Sequence, residues 1–262
     1  MTSVDPQHRI LSQLPDNVAL FLKNMREMGQ KRNIPNISWN TADFFINTLS
    51  NRPVHSILEI GPANGFSTMM LGLACPEADI FSLECSRHAF EELRHNIQTF
   101  NKMTNEEVCL EWHTEWRMTN EGNFSPADFP PKITSDVNQE KIWHFSLYYG
   151  DAREILPGFI HGAEEIQCVH PESILENIPQ KTFDFIFIDG AFRMTREFFD
   201  LSLPILSKNG LIIIDDAIKY RWKMDGFHEH LETQWIPYEL VQTDEDDGVM
   251  VIDFWNIFRG IA

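Results

Sequence analysis

The sequence predicts a doubly wound α/β fold, a mostly parallel sheet with helices on both faces. Three observations predict it. Short β-rich runs alternate with helical stretches along most of the chain. One run, Phe183–Ile188, is almost wholly apolar, as a strand buried on both faces of a parallel sheet must be. A Gly-containing turn, Gly61-Pro-Ala-Asn-Gly65, directly follows the first run and opens a helix.

Residues 1–50 read as an N-terminal helical cap, with apolar faces at Val18–Leu22 and Phe44–Ile46 and a break at Pro35-Asn36. Val54–Ile60 is the first strand, and the helix from Ser67 to Ala74 stops before Pro76. Ile80–Leu83 is the second strand. Ser86 caps the next helix, in which Phe90, Leu93 and Ile97 recur at spacings of three and four. Phe145–Tyr149 is a third strand, followed by a short helix over Asp151–Phe159; Phe183–Ile188 is the fourth. A helix over Thr195–Leu206 leads to Asn209-Gly210, read as a C-cap and turn, and Leu211–Ile214 is the fifth strand. Tyr238–Gln242 and Val249–Trp255, joined by the polar loop Thr243–Gly248, read as an antiparallel terminal hairpin.

Seven strands therefore occupy residues 51–262. That domain carries two extensions, 103–142 and 160–181, too long for the connections of such a fold. Each follows a helix and precedes a strand, so the roots of both are expected on the sheet edge opposite the functional loops. Two readings stand for them: contacts in a homodimer, or a local mini-core.

Composition narrows the function. The chain has 262 residues; 21 basic and 39 acidic ones give a net charge of −18, which repels phosphate backbones and disfavours nucleic acid. Hydrophobic residues at 43%, including 20 Phe, are enough for a full core and exclude wholesale disorder. No apolar run approaches the roughly 20 residues needed to span a bilayer. The start, MTSVDPQHRI, lacks the basic and apolar regions of a signal peptide. Cys75, Cys85, Cys109 and Cys168 form no C-x-x-C pair, which fits a reducing cytoplasm.

A Gly-rich turn lets a ligand approach the backbone closely at the carboxyl edge of the sheet, and an acidic residue about 20 positions on can take hydrogen bonds from a ribose. Glu84 ends the second strand at that distance. Together they point to a nucleoside-containing cofactor. The spacing G-x-x-x-G-x-S differs from the G-x-G-x-x-G of dinucleotide folds, and Glu59, two residues before Gly61, suits a cationic cofactor better than a pyrophosphate.

With Ile57-Leu-Glu-Ile-Gly-Pro-Ala-Asn-Gly-Phe-Ser67, the chain resembles the class I S-adenosylmethionine-dependent methyltransferases, closest to the catechol-type and bacterial O-methyltransferase branch. Gly150-Asp151-Ala152 with Leu156-Pro157, Phe183–Gly190, Pro204–Asp216 and Asp247-Gly248-Val249 are similar to that family's later motifs, in order. The resemblance implies a Rossmann-like seven-stranded sheet whose last strand is antiparallel. It implies S-adenosylmethionine held by Glu59, Gly61, Ala63, Gly65, Ser67, Glu84, Cys85, Gly150, Asp151, Ala152 and Asp189, with Glu84 on the ribose and Asp151 on the adenine amine. A small-molecule acceptor, methylated on oxygen, is the expected partner.

The metal-dependent branch also implies a divalent ion, Mg²⁺ or Ca²⁺, on Asp189, Asp215 and Asp216, the last standing where the family has Asn. The alternative is that Asp189 and Asp215 merely end strands while Asp216 is solvated. The family's Lys three residues after the first metal Asp is Phe192 here. Catalytic candidates are thus Asp189 and Lys219, with Arg221 and Lys223 as alternatives to Lys219. His228 and His230 are too far apart around a helix to share a metal, and Asp244–Asp247 reads as a solvated turn. Acceptor walls are expected from Asn33–Phe45, Gly190–Thr195 and Ile218–His228, the last with Trp222, Met224 and Phe227. Two other functions stay open: a tRNA-modifying methyltransferase, which the charge opposes, and a non-catalytic cofactor-binding or scaffold protein, motivated by Phe192 and the extensions.

Overall fold

The computed structural model describes residues 11–104, 108–114, 143–161, 181–224 and 226–254. Helices α1 (Asp16–Lys31) and α2 (Trp39–Leu49) precede β1 (Ser56–Ile60), α3 (Phe66–Ala74), β2 (Asp79–Glu84) and α4 (Arg87–Thr104). Then come β3 (Val108–Thr114), β4 (Trp143–Tyr149), α5 (Ala152–His161), β5 (Phe183–Ile188) and α6 (Thr195–Ser202). The last elements are β6 (Leu206–Ile214), α7 (Phe227–Thr233), β7 (Glu239–Gln242) and β8 (Gly248–Asp253). The sheet order is β3-β4-β2-β1-β5-β6-β8-β7. Strands β1 to β6 pair in parallel, and β8 runs antiparallel to both β6 and β7.

Alternation along each strand divides the core into two layers. Ile57, Phe185, Phe187, Leu211 and Ile213 face one layer, which takes in Leu22 of α1, Phe45 of α2, Met70 of α3 and Leu93 of α4. Leu58, Ile60, Ile186, Ile188, Ile212 and Ile214 face the other, with Phe159 of α5, Phe199 of α6 and Leu231 of α7. Burial on both faces is why the central strands read as continuous apolar runs. No helix among the described residues is long and apolar enough to cross a membrane.

The seven expected strands are present, and an eighth, β3, extends the sheet from within the 103–142 extension. Its first and last residues pair with Trp143 and Tyr149. Thr114 therefore sits at the carboxyl edge, and the chain leaves β3 on the functional side rather than the far side. Residues 115–142 lie outside the described set. The second extension starts and returns at the far edge, where the Lys181 N–H donates to the Phe159 carbonyl at 3.0 Å. Asn209-Gly210 is not a turn. It lies inside β6, where the pairing jumps from Phe183–Leu206 to Phe185–Leu211 and the surplus residues bulge outward, Lys208 and Asn209 being exposed.

Candidate active site

The parallel ladder continues one residue past its strands and ties their carboxyl ends together. Gly61 N–H donates to Leu83 O at 3.0 Å, Gly150 N–H to Glu84 O at 2.9 Å, Asp189 N–H to Ile60 O at 2.9 Å, and Asp215 N–H to Ile188 O at 3.1 Å. Nearly all the residues singled out in the sequence are thereby gathered on one edge.

The turn after β1 needs its glycines. Gly61 has φ +90°, and a Cβ there would lie 2.2 Å from the Asp189 carbonyl oxygen. Gly65, at φ +89°, would press a Cβ to 2.5 Å from a Leu93 methyl. Between them Ala63 adopts φ +49° and donates its N–H to Glu84 Oε2 at 3.1 Å. The Ser86 N–H donates to Glu84 Oε1 at 2.7 Å. The Glu84 carboxylate is thus fixed by two backbone donors, and a carboxylate has lone pairs for about two more. Burial pushes its pKa up and those N–H groups pull it back. Cys85 beside it is exposed, its thiol pushed up by partial burial and by the Glu84 charge.

Glu59 lies beneath the turn, fully buried. Ser67 Oγ–H donates to its Oε1 at 2.6 Å, while Thr68 Oγ1–H at 2.6 Å and Ser82 Oγ–H at 2.7 Å donate to Oε2. Its carboxylate therefore anchors the first turn of α3 and β2 to β1. Burial raises its pKa and the three hydroxyls oppose that. The sequence reading missed Thr68, Ser82 and Asn64; buried hydroxyls flanking a buried acid are the signal for the first two. Asn64 accepts from the Phe66 N–H at 3.3 Å, and its carbonyl accepts from Asn96 Nδ2 of α4 at 2.9 Å.

Asp151 precedes α5, and its Oδ1 accepts the Arg153 N–H at 2.9 Å. The Arg153 guanidinium closes on the same carboxylate, with Nη2 2.5 Å from Oδ2. Gly150 and Ala152 flank it, Ala152 buried. Asp189 is half-buried; desolvation first, then Asp215 and Asp216, hold its carboxyl well above the ordinary range. Desolvation also pushes Asp215 up to about 7 and, with Asp215 beside it, Asp216 up to about 8.

The expected metal set does not form. Among the described residues, no group of three or more His, Cys, Asp or Glu side chains is placed to hold a metal ion. Asp216 has φ +53°, and its carboxyl is close enough to both Asp215 and Asp247 for each to push its pKa up. Lys219 also departs from its expected part. Its ammonium pairs with Asp246 at 2.8 Å, a hydrogen bond that pushes its pKa up, so it holds its proton more tightly than a general base can.

The expected acceptor walls are partly corrected. Met224 and Phe227 belong to the core, exposed by 1% and 0%, so they line nothing. Phe192 and Tyr220 pack together instead, ring centroids 4.7 Å apart and planes tilted by 31°. From the other side the N-terminal segment reaches the β7–β8 loop: Asn40 Nδ2 donates to Asp244 at 3.0 Å, and the Thr41 and Thr243 hydroxyls meet at 3.0 Å. His230 pairs with Asp200 at 3.0 Å, and His228 is buried away from it. His144 is exposed at the start of β4.

A doubly wound sheet with an antiparallel last strand, a Gly-rich turn after β1 and a fixed carboxylate at the end of β2 defines the class I S-adenosylmethionine-dependent methyltransferases. Residues 58–217 match the family model described as a methyltransferase domain, and the chain belongs to that family. Solved structures agree on the fold. An O-methyltransferase from Bacillus cereus in complex with S-adenosylhomocysteine is similar at 17% identity over 89% of this chain and 90% of that one, TM-score 0.58. A methyltransferase from Podospora anserina, also bound to S-adenosylhomocysteine, is 17% identical over 91% of this chain and 87% of that one, TM-score 0.59. An O-methyltransferase of tomaymycin synthesis from Streptomyces achromogenes, in complex with S-adenosylmethionine, is 14% identical over 89% of each chain, TM-score 0.57.

Proposed function

We propose that this chain binds S-adenosylmethionine at the carboxyl edge and methylates an oxygen of a small molecule. The observation that carries the reading is Glu84, whose carboxylate is held by Ala63 and Ser86 N–H groups beside a turn that only glycine can make at Gly61. Three of the similar structures carry the cofactor or its demethylated product, and two of those are named as O-methyltransferases. When bound, the cofactor supplies an electrophilic methyl group on a sulfonium.

The residues of this chain do the rest. Glu84 accepts the ribose hydroxyls with its remaining lone pairs. Gly61 and Gly65 let the methionine end lie against the backbone. Asp151, steadied by Arg153, takes the adenine amine. Asp189, which follows β5 and is tied to β1 through Ile60 O, faces the sulfonium end and meets it with negative charge once its raised carboxyl ionises. No metal step is assigned, because no group of three metal-holding side chains forms among the described residues.

Calorimetry with S-adenosylmethionine and S-adenosylhomocysteine tests the reading. Both should bind, and Glu84→Gln should weaken both by at least about tenfold, the scale of one charge-assisted hydrogen bond. Binding of neither by the wild type would overturn it. A second reading, a cofactor-binding protein without transfer, is favoured by Phe192 at the family lysine position and by the pairing of Lys219. Methyl transfer from labelled cofactor to a panel of small hydroxylated acceptors separates the two.

A further inference from the structure

The chain carries a net charge of −18, yet the loop after β6 reads Lys219-Tyr220-Arg221-Trp222-Lys223, three cations interleaved with two aromatics. It rises from the same sheet edge as the candidate cofactor site, beside Phe192 at the end of β5. The three cations are not equivalent. Lys219 is neutralised by Asp246 at 2.8 Å. Arg221 is exposed and acts on His228 and Tyr238, toward α7 and β7. Lys223 is half-buried and turns into the aromatic cluster. Its ammonium lies 4.2 Å from the Tyr220 ring centroid, 5.1 Å from Trp222 and 5.2 Å from Phe192. No carboxylate among the described residues is within ion-pair distance of it.

Ring faces hold an ammonium in place but do not cancel its charge. Lys223 therefore keeps a full positive charge and three N–H donors at a fixed point. Beside it Trp222 is 77% exposed, a large flat apolar face. A fixed cation next to an open indole is complementary to one chemistry, a planar ring carrying an anionic group: the ring lies on Trp222 and the anion meets Lys223. Arg193, exposed next to Phe192, adds to the positive field on this part of an otherwise acidic molecule. A neutral aromatic acceptor would gain the indole face but not the ion pair, and a cationic one would be repelled by Lys223.

We propose that the methyl acceptor is an aromatic carboxylic acid, and that Lys223 is the residue that selects it by its charge. The proposal rests on the methyltransferase reading and deepens it.

The test uses the full chain saturated with S-adenosylhomocysteine and two probes of equal shape, 4-hydroxybenzoate and its neutral analogue 4-hydroxybenzamide, with binding measured by calorimetry. The wild type should prefer the benzoate by about fivefold, the size of one partly screened ion pair. Lys223→Met should bring the two within about twofold of each other, Lys223→Arg should keep the preference, and Lys223→Glu should reverse it. S-adenosylhomocysteine affinity, unchanged in all three variants, verifies that they are folded. Equal binding of the two probes by the wild type, no binding of either, or a preference that survives Lys223→Glu would each overturn the proposal. Failure of the wild type to bind S-adenosylhomocysteine would instead bring down the methyltransferase reading, and this proposal with it.

Discussion

At the residue scale, Glu59 shows how much of the site is held by side chains that a bound cofactor need never touch. Both carboxylate oxygens are filled by hydroxyl donors from α3 and β2. Glutamine has nearly the same shape but turns one acceptor oxygen into a donor NH₂, so at least one hydroxyl must swing away or face another donor. Glu59→Gln should cost about 1–3 kcal/mol of stability, the usual cost of leaving a buried polar group unmatched; urea unfolding that matches the wild type would refute the anchoring role. Gly61→Ala should cost more, because the new Cβ meets the backbone of Asp189 and cannot rotate away. Gly61, Gly65 and Glu84 were legible in the sequence, since backbone conformation and strand-end position leave a local mark. That Ser67, Thr68 and Ser82 converge on Glu59 was not, because the convergence depends on packing between separate elements.

At the element scale, apolar periodicity located seven of the eight strands of the sheet, and its failures have identifiable causes. Val108–Thr114 alternates Val, Leu, Trp and Thr with Cys, Glu and His, a period-two pattern that went unread among the Trp and Pro residues of its extension. Asn209-Gly210 carries the composition of a turn, yet tertiary pairing with β5 draws it into β6 as an irregularity. Helix α2 is a separate case, since it is joined to the sheet chiefly by aromatic packing. Phe45 is fully buried and sits edge-on to Phe185 and Phe187, at centroid distances of 6.1 and 4.8 Å. Phe45→Ala should therefore lower stability by about 3–5 kcal/mol in denaturant unfolding. It should also loosen Asn40 and Thr41 from the β7–β8 loop, raising amide exchange in α2 and Thr243–Gly248 together. Exchange that rises in α2 alone would show that the loop does not depend on the helix.

At the scale of the whole molecule, the excess of acid has a local consequence at the sheet edge. Burial first, then the Asp215 and Asp216 charges, push Asp189 up; burial and Asp215 push Asp216 up; and burial, with Asp247 and Asp244 of the β7–β8 loop, pushes Asp215 up. The sign of the resulting pH dependence follows from linkage. A carboxyl group whose folded pKa lies above its unfolded value, near 4, gives stability that is fully present below that value. The stability is lost as pH rises through the folded pKa, here about 7 for Asp215 and about 8 for Asp216. His228 acts in the opposite direction: burial lowers its pKa, so its contribution is present above the ordinary histidine range and lost as pH falls. The protein without cofactor should accordingly lose thermal stability as pH rises from about 4 to about 8, and Asp216→Asn should flatten that decline while leaving the acid limb due to His228 in place. The same ionisation should act on ligands, because S-adenosylmethionine carries one more positive charge than S-adenosylhomocysteine. As the folded carboxyls ionise, between about pH 6.5 and 8.5, affinity for the sulfonium form should rise relative to the thioether form. Calorimetric titrations of both at pH 6.5 and 8.5 measure that ratio directly, and a ratio that stays constant would mean that these carboxyl groups do not face the reacting end of the cofactor.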